Sequence, residues 1–223
     1  MRLVVIGAPG AGKGTQAKLL ARHFGVPHVS TGDLLREHIE ARDKIGAEVK
    51  DCVESGNLAP DEIVIDLIKG FIEEKAFIFD GFPRTVRQAE ILEDILSKID
   101  APLHKVIYVT IEDDIIIGRM AGRQSCVDCH AIYNTEHNPP AVANLCDICG
   151  GGLYVREDDS EPVVRRRLRN YYKLTEPIIE FYRQRGLVYE ISGLGQIGDI
   201  TNSILAELDS VRGSVAAGTR MEP

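Results

Sequence analysis

The nine residues Gly7-Ala8-Pro9-Gly10-Ala11-Gly12-Lys13-Gly14-Thr15 constrain this chain more than any other stretch. They follow a short apolar run and open a helical pattern, the strand–loop–helix context that a phosphate-binding loop requires. Glycines let the backbone curl so that several N–H groups point at one anion. The helix N-terminus adds a partial positive charge. Lys13 supplies a mobile cation for β- and γ-phosphates. The general pattern places Ser or Thr directly after the lysine, whereas here Gly14 intervenes and Thr15 follows. Magnesium is therefore expected to be held more by phosphates and water than by a loop hydroxyl.

The rest of the chain has the rhythm such a loop needs. Five nearly continuous apolar runs, Leu3 to Gly7, Pro27 to Ser30, Ala76 to Asp80, Lys105 to Thr110 and Leu187 to Ser192, read as strands buried on both faces. Helical spacing of apolar residues separates them over Thr15 to Phe24, Asp61 to Phe71 and Gln88 to Ile99. The alternation predicts an α/β fold with a five-stranded parallel sheet flanked by helices. Two stretches interrupt it. Residues 30–60 read as a helical insertion and residues 123–158 as a small separate module. The core is then 1–29, 61–122 and 159–211, and the Gly-, Ala- and Ser-rich tail over 212–223 is expected to fray.

Cys126-Val-Asp-Cys129 and Cys146-Asp-Ile-Cys149 form two C-x2-C knuckles inside the small module. Four thiolates at this spacing suit tetrahedral zinc, and four protein ligands leave no open position for chemistry, so the metal is expected to be structural. Cobalt or iron could take the same soft ligands. A Cys3His site using His130 or His137 is the alternative. Cys52, the fifth cysteine, sits in a helical pattern and reads as a small hydrophobe.

Three further motifs join the loop and the knuckles: Ser30-Thr31-Gly32-Asp33-Leu34-Leu35-Arg36; Asp80-Gly81-Phe82-Pro83-Arg84-Thr85 with Gln88; and Arg156 and Arg167 beyond the cysteines. Taken together, in this order, they make the chain from Met1 to about Val211 resemble an adenylate kinase of the bacterial, long-lid type. The resemblance implies a nucleoside monophosphate kinase fold with an AMP-binding insertion and a metal-binding lid. It also implies the reaction ATP plus AMP to two ADP with Mg2+, run by alignment and charge neutralisation.

By that resemblance, ATP would be met by Gly10, Ala11, Gly12, Lys13, Gly14, Thr15, Arg119, Arg123, Ile132, Tyr133 and Gly195. AMP would be met by Thr31, Gly32, Arg36, Asn57, Leu58, Ala59, Gly81, Arg84, Gln88, Arg156 and Arg167. Guanidinium forks at Arg36 and Arg84 suit a phosphate, and the Gln88 amide can offer a donor and an acceptor to an adenine edge. Pyrimidine-specific relatives usually carry Ala where this chain has Thr31. Catalytic roles would go to Lys13, Arg84, Arg123, Arg156, Arg167, Asp158 and Asp159, the aspartates orienting arginines. Asp33 and Asp80 would face magnesium through its water shell, although Asp33 could instead cap the helix that follows. Arg119 and Arg123, four residues apart, are expected on one helical face. Arg165 is expected to pair with Asp158 or Asp159.

Other classes fit less well. A switch-type NTPase would need a guanine-specifying Asn-Lys-x-Asp, which does not occur. A zinc ribbon that binds nucleic acid through Arg165 to Arg169 would need a basic module with exposed aromatics, yet residues 123–158 carry few basic residues and only Tyr133 and Tyr154. The formal charge of −8 also argues against a bulk polyanion partner. No apolar run is long enough to span a bilayer, and the N-terminal apolar run is too short for a secretion leader. A cytoplasmic monomer with ATP, AMP and ADP as partners, and neither nucleic acid nor membrane, is the expectation.

Overall fold

The structure is a computed structural model that describes residues 1–218, with side chains through Ser210. The tail expected to fray over 212–223 lies beyond the described side chains, and 219–223 beyond the described backbone. The chain runs β1 (Arg2–Gly7), α1 (Lys13–Phe24), β2 (His28–Ser30), α2 (Thr31–Ala41), α3 (Lys44–Ser55) and α4 (Asp61–Glu73). Next come β3 (Phe77–Asp80), α5 (Val86–Lys98), β4 (Lys105–Thr110) and α6 (Asp113–Ala121). The cysteine-rich stretch supplies β5 (Arg123–Cys126), β6 (Ile132–Asn134) and β7 (Leu153–Tyr154). After a 3-10 turn at Glu157–Asp159 follow α7 (Glu161–Asn170), a π-helical turn at Tyr171–Thr175, α8 (Pro177–Arg183), β8 (Val188–Ser192) and α9 (Ile197–Gly218).

Five strands form one parallel sheet in the order β2-β3-β1-β4-β8. Alternate residues of β1 explain why its apolar run is continuous. Val4 and Ile6 pack into the core on one face, with Phe77, Phe79, Leu92, Ile68 and Tyr182. Leu3 and Val5 pack into the other, with Leu20, Ile107, Val109, Ile204 and Leu208. Each strand is thus apolar on both sides because helices cover both.

Register then decides where chemistry can sit. Val5 of β1 and Ser30 of β2 both pair with Asp80 of β3, while Gly7 pairs with Val109 of β4. The carboxyl ends of β1, β2 and β3 therefore open on one edge. After β1 the chain goes to β2 on one side, and after β3 it crosses to β4 on the other, so this edge is the switch point where α/β sheets hold ligands.

Two subassemblies hang over that edge. The hairpin α2–α3 begins with Ser30, whose hydroxyl accepts from Asp33 N–H, and α3 begins with Asp43, whose carboxylate accepts from Gly46 N–H at 2.8 Å. The small three-stranded sheet β6-β5-β7 is joined to the rest through α6 and α7. Those two helices share a cluster of Ile116, Met120, Val164, Leu168 and Tyr171 with Ala8 of the phosphate loop.

Gly46 sets how closely α2 and α3 approach. A Cβ there would lie 2.0 Å from the His38 carbonyl oxygen and 2.8 Å from Ile39 Cα, both unyielding backbone. Gly46→Ala should cost about 1–3 kcal/mol by overpacking, read as a lower thermal midpoint. Gly198→Ala, whose Cβ meets nothing within 4 Å, should leave the midpoint unchanged or slightly raised.

Candidate active site

In the loop between β1 and α1, Ala11 N–H donates to the Ala8 carbonyl at 3.2 Å. Gly12 is the N-cap of α1 with φ 99, a left-handed conformation that strains any side chain, and no side chain caps the helix. Donors at the helix N-terminus are therefore left facing the cleft, where an anion satisfies them. Lys13, the first residue of α1, turns back and donates from Nζ to the Ala8 carbonyl at 2.8 Å. Burial lowers the Lys13 ammonium to about 7; Asp80 opposes this, and Arg84, Arg167 and Arg123 reinforce it.

Over this loop lies a cleft of about 660 Å³, a size that admits a nucleotide. Gly10, Ala11, Gly12, Lys13, Gly14, Thr15, Arg119, Arg123, Ile132, Tyr133 and Gly195 all line it. The Arg119 guanidinium is fixed at its far end by donating to the Gly193 carbonyl at 3.0 Å. Asn134 Nδ2 donates to the Arg119 carbonyl at 2.8 Å, which ties the small sheet to the same wall. The small sheet also leans on the rest of the protein: Lys18 Nζ donates to the His130 carbonyl at 2.5 Å, and His130 Nε2 lies 3.5 Å from Glu37 Oε1 of α2.

Beside the cleft is a slot of only about 60 Å³, lined by Thr31, Gly32, Arg36, Asn57, Leu58, Ala59, Gly81, Arg84, Gln88 and Arg167. Arg156, the remaining residue of the expected AMP set, lines the larger cleft instead. Next to the slot the carboxyl end of α3 is seated on α7. Arg166 donates to the Ser55 carbonyl at 3.1 Å, and Asn170 Nδ2 donates to the Gly56 carbonyl at 2.9 Å. Gln88 is almost fully buried, with Oε1 accepting from Arg84 N–H at 2.7 Å and Nε2 donating to Asp61 at 2.6 Å. Each amide atom keeps one further hydrogen-bonding position for a ligand. Thr31 donates to the Gly81 carbonyl at 2.8 Å, which leaves its oxygen lone pairs as acceptors. The Arg84 carbonyl accepts from Thr175 Oγ1 at 3.0 Å, so the π-helical turn holds this arginine's backbone.

Carboxylates keep the arginines apart and aimed. Asp159, fully buried, takes a two-pronged contact from Arg123, with Nε at 2.7 Å, and Arg167 reaches it at 3.5 Å. Asp158 takes Arg167 at 2.8 Å. Asp33 pairs with Arg36 and lies 3.6 Å from Arg156, whose Nε donates to Ser125 Oγ at 2.7 Å. Burial alone would push the Asp33 carboxyl up, but Arg36 and Arg156 overcome it and hold it at about 2. The Asp80 carboxyl is likewise pushed up by burial but held below its ordinary range by His28 and Lys13. Both carboxylates are therefore ionised at neutral pH and line the cleft, a hard oxygen donor set that fits a hydrated magnesium ion.

Three readings of the sequence change here. Arg123 does not share a helical face with Arg119, because α6 ends at Ala121 with Gly122 as its C-cap and Arg123 opens β5. Both nevertheless reach the cleft. Arg165 pairs with Glu161 at 2.8 Å on the exposed face of α7, not with Asp158 or Asp159; Arg167 takes those. The cap of α2 is Ser30, so the Asp33 carboxylate is left for the arginines. His28 is a residue the motifs passed over, with Nε2 lying 3.6 Å from Asp80 Oδ2. Its signal was strand alternation, since Val29 enters the core and leaves its neighbours to the other side.

The four cysteine sulfurs lie within 4.8 Å of one another. Cys126 and Cys149 are 3.4 Å apart and Cys129 and Cys146 3.5 Å apart, near the roughly 3.8 Å expected between sulfurs bound to one tetrahedral zinc at about 2.3 Å. Neither His130 nor His137 belongs to this cluster. Four soft donors thus fit a metal, and burial of Cys126, Cys146, Ala131 and Tyr133 around them gives the small sheet the only core it has among the described residues.

Known proteins match this architecture along nearly its whole length. A family model described as Adenylate kinase matches residues 5–187. The adenylate kinase of Caldicellulosiruptor saccharolyticus is 44% identical over 212 residues, covering 93% of this chain and 99% of its own. That of Thermodesulfovibrio yellowstonii is 44% identical over 213 residues, covering 94% and 99%. That of Archaeoglobus fulgidus is 41% identical over 216 residues, covering 95% and 100%.

With its ammonium lowered to about 7, Lys13 is largely uncharged above that pH in the free protein, while a bound polyphosphate favours the charged form. Binding a nucleoside triphosphate should therefore take up protons, and affinity should weaken as pH rises through about 7. Calorimetry in buffers of different ionisation enthalpy reads this uptake, and Lys13→Met should abolish the Lys13 share of it.

Proposed function

This chain belongs to the adenylate kinase family, and we propose that its cleft and adjoining slot hold ATP and AMP for direct phosphoryl transfer. The enzyme is a phosphotransferase that interconverts ATP plus AMP with two ADP. One observation carries the assignment of its site. Lys13, Arg84, Arg123, Arg156 and Arg167 come from five different segments, yet all line one cleft together with the loop and the uncapped N-terminus of α1. A phosphoryl group in flight spreads negative charge over its oxygens and asks a protein for little else.

In this reading residues 1–29, 61–122 and 159–211 form the core, 30–60 the AMP-binding insertion and 123–158 the lid. The loop N–H groups and Lys13 hold the β- and γ-phosphates of ATP. Arg119 covers the adenine, and Ile132 and Tyr133 close over it. Arg36 and Arg84 hold the AMP phosphate, with Thr31, Gln88 and the backbone of Asn57 to Ala59 around the base. Arg123, Arg156 and Arg167, aimed by Asp158 and Asp159, neutralise the transferring group. Lid contact with Lys18 and Glu37 keeps water out, so that AMP and not water is the acceptor. Asp33 and Asp80 would hold the magnesium ion that accompanies ATP, which supplies charge neutralisation between β- and γ-phosphates. The four cysteines hold a structural zinc, whose thiolates imply a reducing cytoplasm. The protein acts as a monomer on free nucleotides.

Two measurements test this. ADP formation from ATP, with AMP, UMP, CMP or GMP supplied separately, should be fast with AMP alone, and equal rates with UMP would overturn the acceptor assignment. Lys13→Met should retain the wild-type melting behaviour and lose at least about 10²–10³-fold in kcat, the scale of one lost electrostatic stabiliser. A kcat close to wild type would place the phosphates elsewhere.

A further inference from the structure

The three residues of β6 serve three different neighbours. Ile132 leans over the phosphate loop, where a Cβ on Gly14 would lie 3.5 Å from its Cδ1. Asn134 holds the Arg119 carbonyl. Tyr133, between them and only 5% exposed, lines the nucleotide cleft yet sends its hydroxyl toward the cysteines. Its oxygen accepts from Asp147 N–H at 2.8 Å and lies 3.4 Å from Cys146 Sγ. A metal-ligating Cys146 is a thiolate with no proton to give, so the phenolic proton is the one directed at the sulfur.

We infer that Tyr133 is a positioning residue that ties the metal-holding sulfur of Cys146 to the strand facing ATP. This rests on the four-cysteine metal reading and extends it to a residue outside the ligand set. Cys146 Sγ also accepts from Ile148 N–H at 3.4 Å, so one thiolate takes a backbone donor from its own knuckle and a side-chain donor from β6. A hydrogen bond to a ligating sulfur fixes its orientation and spreads its charge, and such outer contacts are worth about 10–100-fold in metal affinity. The coupling runs both ways. A filled metal site holds Tyr133, and Tyr133 holds Ile132 and Asn134 on the ATP wall.

The test compares wild type with Tyr133→Phe, which keeps the ring and removes the hydroxyl. Metal content comes first, because a wild-type protein without zinc would sink the metal reading itself. Given a zinc-loaded wild type, Tyr133→Phe should release zinc to a competing chelator with at least about tenfold weaker affinity. The cobalt-substituted variant should show a shifted thiolate-to-metal charge-transfer band. KM for ATP should rise while KM for AMP stays as in wild type. Melting separates this role from simple packing: the variant should melt lower than wild type when zinc-loaded and at the same temperature after metal removal. Unchanged zinc affinity in Tyr133→Phe, or an equal loss of melting temperature with and without metal, would overturn the inference.

Discussion

Mutual repulsion among desolvated cations is the constraint around which this molecule is arranged. Lys13, Arg84, Arg123, Arg156 and Arg167 face one cleft, and burial, reinforced by Arg123 and Arg84, lowers the Arg167 guanidinium to about 10 even with Asp158 and Asp159 opposing it. An uncompensated buried charge costs several kcal/mol. Asp33, Asp158 and Asp159 offset that cost in the free protein by pairing with Arg36, Arg156, Arg123 and Arg167. The arginines are thus oriented by carboxylates before any phosphate arrives, which is electrostatic preorganisation.

The fold supplies these charges from separate bodies. The sheet edge gives the loop, Asp80 and Arg84; α2 gives Arg36; the lid and its roots give Arg123, Arg156 and Arg167. Ion pairs such as Asp33 with Arg156 cross from one body to another. In the proposed reading, opening of the lid would separate these charges as well as surfaces, and bound polyphosphate would favour closing again. Magnesium would in that reading extend the same logic, since Asp33 and Asp80 would otherwise repel the substrate.

Much of this was legible in the sequence because its signals are local or strongly patterned. Double-sided burial wrote five strands as continuous apolar runs, and the phosphate loop announced itself through glycines, lysine and context. The cysteine spacing placed four sulfurs together. Contacts between distant segments were not legible. Lys18 reaches the His130 carbonyl across 112 residues and Arg123 meets Asp159 across 36, and no periodicity encodes either. The Arg165 pairing was a different kind of miss. Its partner Glu161 stands one helical turn away, a readable i,i+4 signal outcompeted by the attraction of nearby aspartates. Arg123 was misplaced because Gly122 ends the helix one residue earlier than its spacing to Arg119 suggests.

The unequal sizes of the two nucleotide spaces carry a consequence for occupancy. In the proposed reading the donor space is the cleft of about 660 Å³ and the acceptor space is the slot of about 60 Å³, next to which Arg166 and Asn170 hold the end of α3. A ligand that binds only a minor conformer has its apparent dissociation constant multiplied by the inverse of that conformer's population. The acceptor's measured affinity thus reports two quantities, the grip of the pocket and how often the hairpin leaves α7. The seat on α7 lies directly beside Arg167, and Asn170 also donates to Asn57 Oδ1 at 3.2 Å, so a change there that alters acceptor saturation also acts on residues given to the chemistry and to the base.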